Sequence, residues 1–200
     1  MTFHPVVPYG PQQHQSERKL PEAGPPFELT AERRTRFEEI AKRYPPEHRR
    51  SAILPALYLA QEQQGYITGN AMRHVAEVIG CTAADVEDVV SYYTMFHTKP
   101  VGKYILHVCR TLSCALLGAE RVTEALAEKL GIAPGEIDAT GDFTLIEVEC
   151  LGACDRAPVV MVNDEWHERV RPEDAARLVD DLRTRGQATL SGCHHCVEKK

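Results

Sequence analysis

Apolar positions recur with a helical period from Thr30 to Tyr93. Phe37, Ile40, Ala41 and Tyr44 fall at i, i+3, i+4 and i+7 behind Thr30, a residue suited to capping, and Pro45-Pro46 stops the run. A second run, Ser51 to Gln64, puts Ile53, Leu54, Leu57 and Tyr58 on one face and ends at Gly65. Pro55 is tolerated in a helix that starts near Ser51 and otherwise produces a kink. Thr68 or Asn70 caps a third helix that faces Met72, Val75, Ala76 and Ile79 inward and closes at Gly80. Thr82-Ala-Ala-Asp85 reads as a capping box with Asp in place of Glu, opening a fourth helix through Val86, Val89, Val90 and Tyr93. Four short amphipathic helices with brief turns predict an N-terminal helical bundle.

Beyond Pro100 the period changes to two. Tyr104, Leu106 and Val108 alternate with Ile105, His107 and Cys109, a strand signal. One helix is predicted from about Ser113 to Leu130, with Leu117, Val122, Leu126 and Leu130 available to a core and Gly131 beyond its end. Asp138-Ala-Thr-Gly-Asp142 turns into a second strand, and Val159–Val162, Asn163-Asp-Glu165 and Trp166-His-Glu168 read as a hairpin. Pro172 opens a last helix that lines up Ala175, Leu178, Val179 and Leu182 before Gly186. The order β-α-β-β-β-α predicts a small thioredoxin-like α/β layer. The fold class is therefore α+β, an N-terminal helical bundle followed by a thioredoxin-like α/β domain. The expected boundaries are a flexible extension over 1–28, the helical domain over 29–98, the α/β domain over 99–186 and a flexible tail over 187–200.

Composition narrows the function. With 43% apolar residues in 200, the chain has material for real cores. A net charge of −6 with no basic block argues against nucleic acid or anionic lipid as a partner. No apolar run reaches the roughly 18 residues of a membrane span, and the first residues lack a signal-peptide core. An intracellular, soluble protein is expected. In a reducing compartment, clustered thiols act more often as metal ligands or redox groups than as structural disulfides.

Of the seven cysteines, four form two close pairs, Cys109-Arg-Thr-Leu-Ser-Cys114 and Cys150-Leu-Gly-Ala-Cys154, separated by 35 residues. Each pair follows a predicted strand, Lys103–Val108 or Phe143–Val148, so the thiols lie on loops at one end of a sheet. A 2Fe-2S cluster needs four ligands, and soft thiolates suit iron(III). Four thiolates leave it a formal charge of about −2 oxidised and about −3 reduced, so compensating positive potential is required. The helix predicted to begin near Cys114 offers it, as does Arg110, while Gly152 lets backbone approach the sulfurs. Structural zinc on the same four cysteines is the competing reading.

Cys109-x4-Cys114 followed by Cys150-Leu-Gly-Ala-Cys154-x3-Pro158-Val-Val-Met-Val-Asn163 resembles the motif of the 24-kDa-type subunits of respiratory complex I, the E-type subunits of bacterial NADH-quinone oxidoreductase. Gly65-Tyr-Ile, Val86-Glu-Asp-Val-Val-Ser-Tyr-Tyr-Thr-Met-Phe96 and Pro100-Val-Gly-Lys-Tyr104 are similar to that family as well, so the likeness spans roughly residues 30 to 185. The resemblance implies a helical domain, a thioredoxin-like domain and one 2Fe-2S cluster on Cys109, Cys114, Cys150 and Cys154. It also implies FMN and NADH on a partner flavoprotein subunit, and a place in a peripheral arm on the cytoplasmic side of the inner membrane. No G-x-G-x-x-G fingerprint follows a strand, consistent with nucleotide binding elsewhere. The chain is thus expected to be an oxidoreductase subunit that is not catalytic alone. The equivalent diaphorase subunit of an NAD-linked hydrogenase or formate dehydrogenase is the alternative; a redox-inactive zinc module is the alternative of another class.

Other residues have plainer readings. Cys81 fits a helix-end core position. Cys193-His-His-Cys196 packs four donors too tightly to wrap one tetrahedral ion. Tyr92-Tyr-Thr-Met-Phe96 reads as packing between domains or as a docking surface. His97 and His107 are candidates for hydrogen bonds that tune the cysteine site, against an ordinary role of satisfying local polar groups.

Overall fold

Threonine caps and glycine stops set the first helices where the apolar period places them. The computed structural model describes residues 23–185. Helix α1 (Ala31–Ala41) is capped by Thr30, and a 3₁₀ segment (Pro46–Ala52) leads into α2 (Ile53–Gln64). Pro55 stands third in α2, inside the first turn, where its missing N–H costs no helical bond. Thr68 caps α3 (Gly69–Ile79) by accepting from the Ala71 N–H at 3.2 Å. Thr82 and Asp85 form the reciprocal capping box of α4 (Ala83–Tyr92). Phe37, Ala56, Leu57, Val75 and Val86, all fully buried, belong to one hydrophobic cluster shared by these helices.

Residues 23–28, expected to form part of a flexible extension, are strapped to this bundle. The Asn70 amide donates to the Gly24 and Pro25 carbonyls at 2.8 and 3.0 Å, and Gln63 Nε2 donates to the Glu28 carbonyl at 2.8 Å. His74 Nε2 accepts the Leu29 N–H at 3.1 Å. Polar side chains of α2 and α3 thus satisfy the strap's backbone, a pairing that the apolar period cannot register. The rest of the extension, the 187–200 tail and Cys193-His-His-Cys196 lie outside the described residues.

A mixed sheet follows: β1 (Tyr104–Cys109), β2 (Phe143–Val148), β3 (Val160–Val162) and β4 (Glu165–His167), in the order β2-β1-β3-β4. β1 and β2 are parallel, with Tyr104 opposite Phe143 and Cys109 opposite Val148, whereas β3 runs antiparallel to both β1 and β4. The parallel crossover is not one helix. It divides into α5 (Leu112–Leu116) and α6 (Ala119–Leu130), because Gly118 adopts φ +92° and turns the chain between them. After the two-residue hairpin at Asn163-Asp164, Pro172–Asp174 makes a 3₁₀ turn into α7 (Ala175–Arg185). Tyr104, Leu106, Val108, Phe143 and Leu145 share a second cluster with Val122 and Leu126 of α6 and Val179 and Leu182 of α7. One sheet face is thereby covered by helices. Among the described residues the chain has seven α-helices and a four-stranded mixed sheet, an α+β architecture.

The opposite face of the sheet looks toward the segment joining the two clusters. There Gln61 holds the chain at both ends of a short span, donating to the Met95 carbonyl at 2.9 Å and accepting from the His97 N–H at 2.8 Å. A cleft of about 590 Å³ lies between that segment and the sheet, lined by Met95, His97, His107, Ile146, Met161 and Cys150 among others. Burial holds the His97 imidazole below its usual pKa, and burial, with His97 as a neighbour, pushes His107 down to about 4.

Candidate metal centre

The two cysteine loops leave the carboxyl ends of adjacent parallel strands. The strand ladder continues into them: the Arg110 N–H donates to the Val148 carbonyl at 3.0 Å, and the Cys109 N–H to that of Val159 at 3.2 Å. All four thiols of the predicted set come together as two pairs. Cys109 and Cys114 are buried, whereas Cys150 and Cys154 are exposed. The Sγ atoms of the second pair lie 3.5 Å apart, and Gly152, at φ +83°, directs its N–H to Cys150 Sγ at 3.3 Å. Among the described residues, no three His, Cys, Asp or Glu side chains converge on a position for one metal ion.

In each pair one thiol is favoured as the anion and the other as the neutral thiol. Burial pushes Cys109 up, but the hydroxyl and N–H of Thr111, the N–H of Leu151 and the Cys114 thiol together hold it below the ordinary thiol value. Burial and the bond to Cys109 push Cys114 up to about 11. The Gly152 N–H, followed by the Cys154 thiol and the Thr111 hydroxyl, lowers Cys150, and the bond to Cys150, with the charge favoured there, raises Cys154. The pairs also sense each other, Cys109 acting on Cys150 and Cys154 on Cys114. Four thiols, three of them fed by N–H groups from Thr111, Leu151, Gly152 and Val159 and the fourth by the Ser113 hydroxyl, are a donor set suited to an anionic iron–sulfur group.

The source of positive potential differs from the expected one. Helix α5 has only five residues, and Arg110 is engaged by Glu149 through Nε and Nη2 at 3.2 and 2.8 Å. Backbone amides of the loops supply the donors instead. The hydroxyls of Thr111 and Ser113, within reach of Cys109 and Cys154, escape the sequence reading, although their place between two ligand-type cysteines is a usable signal. Of the other candidates, Cys81 packs against the helical cluster, and His97 and His107 line the cleft. His107 Nδ1 is buried with no hydrogen-bond partner.

A thioredoxin-like layer that presents four cysteines from two strand-end loops defines a class of small sulfur-ligated proteins. The chain belongs to the thioredoxin-like [2Fe-2S] ferredoxin family, whose model matches residues 37–183. It is 45% identical over 147 residues to the E-type subunit of NADH-quinone oxidoreductase from Rickettsia bellii, covering 73% of this chain and 88% of that one. It is 39% identical over 178 residues to the protein of the same name from Mycobacterium tuberculosis H37Rv, covering 88% and 70%. Among solved structures it overlays a chain of an NAD+-reducing [NiFe]-hydrogenase with a TM-score of 0.58 at 19% identity. That overlay takes in 66% of this chain but only 23% of the hydrogenase chain, a likeness of fold.

Proposed function

We propose that this chain is the electron-transfer subunit of the NADH-oxidising arm of a bacterial NADH-quinone oxidoreductase. In this reading Cys109, Cys114, Cys150 and Cys154 hold one 2Fe-2S cluster. Bound there, the group supplies one-electron chemistry, accepting and releasing single electrons with FMN on a partner flavoprotein that also binds NADH. What supports this reading is the family match together with two cysteine pairs on neighbouring strand-end loops, whose thiols sense one another's charge and receive N–H donors from those loops. The chain's own part is to hold the four sulfurs, balance their charge with oriented amides and keep the first pair from water. The second pair faces outward, which favours exchange with a docked partner. Leu112, Leu116 and Leu117, largely exposed on and just beyond α5 beside Cys114, support a protein surface seated over these loops. No helix of the described residues is long and apolar enough to cross a membrane.

Electron paramagnetic resonance of anaerobically purified protein, before and after dithionite, tests the assignment together with iron and zinc analysis. The expected result is a rhombic signal present only after reduction, with about two irons per chain. A silent sample carrying one zinc would sink the carrier reading. Cys150→Ser should reduce the iron content and alter the visible spectrum; an unchanged spectrum would remove Cys150 from the ligand set.

A further inference from the structure

Thr111 stands at the N-cap of α5, the position where a threonine hydroxyl ordinarily accepts a backbone N–H from the first turn. Here it makes no such bond. Its Oγ1 lies 3.2 Å from Cys109 Sγ, across a contact between side chains two residues apart. The Cys150 thiol also responds to this hydroxyl, more weakly than to the Gly152 N–H. With both cysteines serving as thiolate ligands, neither sulfur has a proton to give, and the hydroxyl is the only possible donor in these contacts.

We propose that the Thr111 hydroxyl is a positioning residue that donates to the ligand sulfurs and raises the reduction potential of the iron–sulfur centre. The assignment rests on the carrier reading above. Reduction adds one electron and no proton, so negative charge on the sulfurs increases while the hydroxyl keeps its hydrogen. A donor aimed at sulfur therefore stabilises the reduced form more than the oxidised form. Because the backbone amides act on the same sulfurs whatever residue occupies position 111, the hydroxyl is the part of this donor shell that a side-chain substitution can remove cleanly.

The experiment is an equilibrium redox titration of the full chain, followed by paramagnetic resonance, for wild type, Thr111→Val and Thr111→Ser. Valine keeps the shape and removes the donor. Its reduction equilibrium should fall about tenfold, equivalent to roughly 59 mV for a one-electron couple. Serine should titrate with wild type. Thermal stability of the valine variant should not show the loss that follows removal of a capping hydroxyl, since no capping bond is present. A valine variant that titrates with wild type would overturn the assignment alone; a wild-type chain without a reducible two-iron signal would overturn the carrier reading and this assignment with it. Should valine prevent iron binding, Thr111→Ala replaces it in the titration. Loss of iron in both, with full iron in serine, would give the hydroxyl a holding role and overturn the tuning one.

Discussion

Gln61 illustrates how one polar side chain fixes a junction that apolar periodicity leaves unspecified. It is 8% exposed, and both ends of its amide are used, on Met95 and His97. Replacing it with leucine leaves a part-buried carbonyl and a part-buried N–H without partners. We predict a loss of about 1–3 kcal/mol in urea unfolding, with the linker beyond α4 gaining fast amide exchange. His97, whose backbone is held by that amide, carries an imidazole that burial keeps neutral. As pH falls through the unfolded value near 6.5, the unfolded chain takes up a proton before the native chain does. Stability from this group is thus full above that value and declines below it. Melting temperature should drop between pH 7 and 5; His107, pushed down to about 4, acts on the same limb, so His97→Leu should make it shallower and the His97→Leu/His107→Leu pair should flatten it. The two cysteine pairs stand out in the sequence because each follows a strand signal, and those two strands lie side by side in the sheet. Gln61 is not legible, because nothing in a local pattern tells which distant atoms its polar ends will find, whereas Thr111 has a local signal in its place between two cysteines.

At the level of elements, the capping signals transfer well. Thr30, Thr68 and the Thr82–Asp85 box stand at the helix starts predicted for them, because a cap is decided within a single turn. Thr82→Ala should therefore cost about 0.5–2 kcal/mol in thermal unfolding. The crossover between β1 and β2 is misread as one helix, since Leu117, Val122, Leu126 and Leu130 keep a helical period across the break. The break belongs to Gly118, whose left-handed backbone separates α5 from α6. A Cβ there would also lie 2.9 Å from Arg121 Nη2, a flexible end that can move, so the backbone sets the penalty. Gly118→Ala is expected to lower stability by about 1–2 kcal/mol. It should also reduce iron retention, because α5 carries Cys114 to its partner. Unchanged iron per chain would show that α5 holds its place without the turn. The β3–β4 hairpin is legible for the opposite reason: Asn163, at φ +53°, tolerates the conformation that its turn demands.

Two hydrophobic clusters organise the whole molecule, one within residues 29–96 and the other within 104–182. A cavity made in either should be felt mainly on its own side. Phe37→Ala is expected to cost about 3–5 kcal/mol and Leu145→Ala about 2–5 kcal/mol. The first should lower the far-ultraviolet helical transition and leave the visible chromophore's melting point in place, whereas the second should lower the chromophore's. Coincident shifts in both variants would show a single cooperative unit. The packing of the linker against the sheet, by contrast, is a long-range matter that the sequence alone does not reveal.

The parallel pairing of β1 with β2 also bears on the order of assembly. Tyr104 and Phe143, which begin the ladder, are 39 positions apart, so their strands meet only after the whole crossover has closed. Such non-local closure is slow compared with the local turns of the helical segment. Until it is complete, the first cysteine pair has no second pair facing it. Iron and sulfide delivered to a growing chain would find half a site and compete with stray thiol oxidation. Maturation of this protein should therefore follow folding of the sheet.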